Sequence, residues 1–109
     1  MTLPVTVRSR ARIDILEQFY YFGENVNLRT ANRFLAATEE TAALISRYPD
    51  IGSKYDFGIS DLRRMRRAPL KGFRKFLMFY VVSDAGIEVI RVLHGARDIE
   101  SIFREEERS

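Results

Sequence analysis

FRKFLMFYVVSDAGIEVIRVLHG, residues 73–95, decides the architecture. Its two apolar runs, 73–82 and 87–95, are separated only by Ser83-Asp84-Ala85-Gly86, a connection too short for a crossover, with Gly86 free to take a positive φ. They therefore pair as an antiparallel hairpin. Apolar residues occupy nearly consecutive positions in both, which predicts central strands covered on one face and partly on the other. The most apolar part, FLMFYVV at 76–82, is far shorter than the ~20 residues that span a bilayer.

Outward from this hairpin, LRRMRRAPL at 62–70 keeps a strand period, and LPVTV at 3–7 is a short β-branched segment whose Pro4 places it at the end or edge of a sheet. Two helices lie between them. Ser9 can cap the first, where Ile15, Leu16, Phe19 and Phe22 recur at helical spacing, with Ile13 and Tyr20 on a flank, until Gly23 to Asn27. Asn27 can cap the second, in which Phe34, Leu35, Ala37, Thr38, Thr41, Ala42, Leu44, Ile45 and Tyr48 form one broad stripe ended by Pro49. A short connection makes the two an antiparallel pair. YPDIGSKYDFGISD, 48–61, reads as loop. Asp98 can cap a final helix with Ile99, Ile102 and Phe103 on one side, and Glu105 to Glu107 at the unfavourable end of its dipole predict fraying there. The element order is β-α-α-β-β-β-α.

With 109 residues the chain makes one domain, 1–109, with one core. Hydrophobic residues form 46% of it and no low-complexity tract interrupts them, which argues against disorder. There is no cysteine, so disulfides, thiolate metal sites and thiol nucleophiles are excluded, and a reducing cytoplasm is the default expectation. The start, MTLPVTVRSR, lacks a signal-peptide apolar stretch, and a soluble protein is expected.

The net charge of +3 is unevenly placed: residues 1–62 sum to −1 and residues 63–109 to +4. Arg63, Arg64, Arg66, Arg67, Lys71, Arg74 and Lys75 follow one another with no acid among them. Arginine forks bind phosphate or carboxylate, and aromatic neighbours stack on bases, so this run is the main functional lead. The competing interpretation is a solvated strand face balanced by acids elsewhere. His94, the one histidine, has the ionisation range of a general acid or base, but a strand-end residue donating a hydrogen bond to backbone is the simpler account. One histidine and no cysteine make a zinc site unsupported, and no phosphate loop or nucleophile elbow occurs. Phe19, Tyr20, Tyr21 and Phe22 resemble a stacking platform but are expected to pack as core, and Met65 and Met78 to fill gaps.

Leu93-His94-Gly95-Ala96-Arg97-Asp98 followed by Ile99, together with Pro69, Leu70, Gly72, Phe73 and an aliphatic-aromatic stretch of strand ending in Phe79-Tyr80, resembles the ParE toxins of bacterial type II toxin-antitoxin systems, within the ParE/RelE superfamily. Ala11, Ile15, Pro49 and Gly52 also fall where that family has them, and the resemblance runs from about residue 3 to 103. It implies an α+β RelE/ParE-like fold: a curved, mainly antiparallel four-stranded sheet, an N-terminal helix hairpin on one face and a short C-terminal helix. It also implies a cytoplasmic bacterial toxin neutralised by a ParD-like antitoxin and directed at DNA gyrase, with no catalytic residue, cofactor or metal. The alternatives are a RelE-like ribosome-dependent mRNA endoribonuclease and a basic nucleic-acid-binding module. RNA cleavage by 2′-OH attack needs a proton acceptor, a proton donor and cations, and Gly95 stands where some nucleases of the superfamily place an aromatic residue. The residues expected to meet antitoxin or target are Arg63, Arg64, Arg66, Arg67, Lys71, Arg74, Arg91, His94 and Arg97.

Overall fold

A computed structural model describes residues 2–55 and 64–108. The elements in chain order are β1 (Val5–Val7), α1 (Ser9–Asn25), α2 (Leu28–Arg47), β2 (Ser53–Lys54), β3 (Met65–Leu70), β4 (Phe73–Ser83), β5 (Gly86–His94) and α3 (Ile99–Arg108). The sheet order is β1-β5-β4-β3-β2, with β1 parallel to β5 and every other pairing antiparallel. It has five strands where four were expected. The addition is β2, whose two residues lie in the segment assigned to loop and pair with Arg66 and Arg67.

The central hairpin forms as its sequence dictates. Gly86 takes φ +127, and a Cβ there would sit 2.5 Å from the Pro4 carbonyl oxygen, which accepts the Ile87 N–H at 2.8 Å. Glycine thus lets β1 approach the turn. β4 and β5 pair from Ser83–Gly86 to Phe76–His94, and a bulge opposite Phe79/Tyr80 puts Ile90 out of register. Alternation on β4 sends Phe76, Met78 and Tyr80 to one face and Phe79 to the other.

The α1–α2 hairpin covers the first face. Phe22 meets Phe34, Phe73 and Phe76 with ring centroids 5.3, 5.6 and 6.0 Å apart. On the second face α3 buries Ile99 and Phe103 against Met65, Phe79, Ile90 and Leu93. Met65 and Met78 are buried gap-fillers, as expected.

The caps differ in how well they follow the sequence. Asn27 Oδ1 accepts the Thr30 N–H at 2.7 Å, and Asp98 accepts the N–H and hydroxyl of Ser101 at 3.3 and 2.8 Å. Ser9, expected to cap α1, is instead its first helical residue. Arg8 holds the cap position, its N–H continuing the β1 ladder to the Val89 carbonyl at 3.0 Å, and its guanidinium, which has no acceptor, makes no capping bond. α3 runs on to Arg108 through the acidic segment expected to fray, and Glu106 lies 3.7 Å from Arg91. Tyr20 and Tyr21, expected in the core, are 63% and 56% exposed while Phe22 is packed. Four consecutive helical residues sweep the whole circumference, so two of them must face outward.

Candidate functional site

β1 and β2 are short, so each covers only part of the strand beside it, and the residues beyond their ends decide what the two sheet edges can do. Past Val7 the edge of β5 is taken over by α1. Asp14 Oδ2 accepts the Val92 N–H at 3.0 Å and Arg91 Nε at 2.7 Å, while Oδ1 accepts Arg91 Nη2 at 2.9 Å. Asp14 therefore stands in for the missing strand. Arg91 is 2% exposed, which corrects its expected place on a partner-binding surface. Burial by itself would lower its pKa, but the hydrogen-bonded Asp14 carboxylate and the charge of Glu106 outweigh burial and raise it, so the guanidinium stays charged.

Among the described residues no strand covers the opposite edge beyond β2. Ala68 to Leu70 run beyond β2, and Pro69, which has no N–H to leave unpaired, faces out from this stretch. Between that edge and the second half of α2 lies a groove of about 910 Å³ whose floor includes Leu44, Tyr48 and Ile51. These three are 41%, 55% and 53% exposed. Arg47, Lys71 and Arg74 stand around the groove together with Glu40, which pairs loosely with Lys71 at 3.6 Å. Leu44 and Tyr48, expected in the core stripe of α2, are exposed instead, and of its last turn only Ile45 is fully buried.

The basic run is dispersed by strand alternation. Arg66 folds onto its own loop, donating to the carbonyls of Asp50 and Gly52 at 3.2 and 2.7 Å and pairing with the Asp50 carboxylate at 3.4 Å. Arg67 points to the other face, its guanidinium 5.1 Å from the Tyr55 ring centre. Arg64, Lys71, Arg74 and Lys75 are exposed, and Arg63 lies outside the described residues.

The same loop is latched from inside. The buried Tyr80 hydroxyl donates to the Pro49 carbonyl at 2.8 Å and accepts the Gly52 N–H at 3.0 Å. A Cβ on residue 52 would fall 2.5 Å from that hydroxyl, so only glycine fits. Burial raises the Tyr80 pKa above 10.0, against the smaller opposing effect of its Gly52 hydrogen bond and the Arg66 charge.

His94 is the last residue of β5, as expected, and half-buried with its ring edge-on to Phe76 at 5.0 Å. Its hydrogen bond runs the other way from the one anticipated: Nδ1 accepts the Ala96 N–H at 3.0 Å. The turn is completed by the Gly95 and Arg97 N–H groups, which bond the carbonyls of Lys75 and His94 at 2.7 and 3.1 Å. Arg97 is exposed on this turn.

The family model described as ParE toxin of type II toxin-antitoxin system, parDE, matches residues 5–99. The chain belongs to the ParE toxin family. Among solved structures, a chain of the chromosomal ParDE TA system from P. aeruginosa is similar in fold, with a TM-score of 0.69 at 12% identity over 85% of this chain and 96% of that one. No curated protein sequence matches. The ParE match takes in both sheet edges, the groove and the His94 turn, and reaches only the first residue of α3.

Sequence reasoning missed the groove, the Arg91–Asp14 pair and the Tyr80 latch. A signal for the first was present: Leu44 and Tyr48 are one turn apart, Ile51 follows three residues later, and Pro69 inside a strand marks an edge. Asp14 and Arg91 are 77 residues apart and gave none.

Proposed function

We propose that the chain is a toxin held silent by an acidic, ParD-like antitoxin seated in the α2–β3 groove. Freed from it in the bacterial cytoplasm, the toxin arrests growth by inhibiting DNA gyrase without catalysing a reaction. The observation that carries the antitoxin half is the pairing of three exposed apolar side chains with Arg47, Lys71 and Arg74 around one groove, in a chain of the ParE family. A segment that is disordered alone and folds on binding gains from both, burying its apolar anchors while its carboxylates meet the rim. Pro69 gives an incoming strand no N–H to bond, so an amphipathic helix suits the groove better than an added strand.

The non-enzymatic half is supported by how His94, Asp98 and Asp14 are engaged. With Nδ1 accepting a backbone N–H, the neutral His94 ring carries its proton on Nε2 and has no free lone pair to act as base. Asp98 is committed to Ser101 and Asp14 to Arg91 and Val92. Among the described residues no helix is long and apolar enough to cross a membrane.

Pulse labelling after induction in a bacterium tests this, following thymidine and methionine incorporation over the first minutes. DNA synthesis falling while translation continues is the expected result, to be followed by a supercoiling assay with purified gyrase. Translation falling first, together with loss of toxicity in a folded His94→Ala chain, would transfer the protein to the ribosome-dependent nucleases.

A further inference from the structure

We propose that the outward face of α1 is a self-association surface, on which a second copy of this chain packs its own α1 antiparallel to the first. The face lies opposite the core. Ala11, Asp14, Ile15 and Phe22 of α1 point inward, while Ile13, Leu16 and Tyr20, at i, i+3 and i+7, form a stripe on the other side and are 42%, 50% and 63% exposed. Isolated exposed apolar residues are ordinary, but three aligned along one helix face make a seam.

The charges beside the seam select the occupant. Arg10 and Arg12 stand in the first turns of α1 and Glu17 and Glu24 in its later ones, with no acid in the first turn and no base in the last. This polarity opposes the helix dipole, which favours acids at the N-terminus and bases at the C-terminus. Among the described residues none of these four has an ion-pair partner within the chain. A wholly acidic peptide would be repelled by Glu17 and Glu24, and a basic one by Arg10 and Arg12. An α1 running the opposite way presents the complementary order. A twofold axis near the helix midpoint, beside Leu16 and Glu17, sets Ile13 of each copy against Tyr20 of the other and Arg10 near Glu24. It also sets the two helix dipoles antiparallel.

A face about 25 Å long, from seventeen residues at ~1.5 Å each, falls short of the ~800 Å² per partner of a standard stable interface, so the dimer is weak and concentration-dependent. The test is sedimentation equilibrium of the full chain from about 5 to 500 μM, the range in which such small interfaces are populated. Two doubly substituted chains, Arg10→Glu with Arg12→Glu and Glu17→Arg with Glu24→Arg, are each expected to weaken the dimer by about tenfold or more. An equimolar mixture of the two should recover it, since each then meets the opposite charge. Leu16→Glu should leave only monomer. All five positions are exposed, and far-UV circular dichroism checks that each variant is folded. A monomeric wild-type chain across the range, a dimer indifferent to both charge reversals, or a mixture that stays monomeric would each overturn the proposal. None of these results bears on the groove or on gyrase.

Discussion

The two edges of the sheet begin alike and end differently. On one, β1 stops at Val7 and the Asp14 carboxylate accepts the Val92 N–H of β5 beyond it; on the other, β2 pairs with Arg66 and Arg67, and among the described residues no strand covers the rest of β3 beside an apolar groove. Arginine stands at both. At the closed edge Arg91 is buried and fully engaged, and at the open edge Arg47 and Arg74 are exposed. The difference teaches that a cation's role follows from what packs beside it: where α1 and α3 bring carboxylates against the edge the charge is consumed in structure, whereas beside the groove it is left for a partner.

The closed edge is the easier to break. Asp14→Ala leaves the Arg91 charge buried beside only Glu106 and strips the Val92 N–H of its acceptor, so a loss of about 3–5 kcal/mol in urea unfolding is expected. A loss below about 1 kcal/mol would mean that water replaces the carboxylate and the edge is not closed by it. Tyr80→Phe comes next. It leaves the Gly52 N–H and Pro49 carbonyl without their partner and is expected to cost about 1–3 kcal/mol, loosening the loop that carries Ile51 into the groove.

The same tyrosine predicts an alkaline limit. Its folded pKa lies above the unfolded value of 10.0, so its contribution is complete below that pH and is lost as pH rises through the folded value. Unfolding midpoints followed from pH 8 to 11 should fall above about 10 in the wild type and less steeply in Tyr80→Phe.

The open edge should respond in binding, not in stability. Arg47→Glu combined with Arg74→Glu is expected to weaken a ParD-like acidic peptide by about tenfold or more, most at low salt, with Tm unchanged. Isothermal titration at two salt concentrations reads this, and unchanged affinity would move the partner off the groove. Reversing Arg66 is a poorer probe because it also unfastens the 50–52 segment.

The smallest effect is at the exposed Asp98 cap. Hydrogen bonds from the Ser101 hydroxyl and N–H hold its pKa below 3.8, so its support of α3 is full above that value and is lost as pH falls through the lower, folded one. Carboxyl NMR titration should find the midpoint below 3.8, moving upward in Ser101→Ala.

Features set by neighbours in sequence were legible in advance. The β4–β5 hairpin follows from two apolar runs and a glycine turn, Asn27 and Asp98 cap as their positions suggest, and His94 ends its strand. The dispersed basic run was not legible as such: Arg66 and Arg67 are adjacent in sequence, but alternation sends one to its own loop and the other to Tyr55. Nor was it visible that Tyr20 and Leu16 would stay in solvent, since a helical pattern gives the apolar face no width.

By itself the sequence determined the types of every element but β2, the helix pairing, the central antiparallel hairpin and, through residues such as Leu93-His94-Gly95 and Phe79-Tyr80, the ParE family, because turns, caps and periodicity act over a few residues. Only the tertiary structure decided which arginines are free. Asp14 and Arg91 meet across 77 residues, and the groove lies where the second half of α2 runs beside the end of β3 that β2 does not reach. Both depend on where elements stop beside one another, which no local pattern encodes.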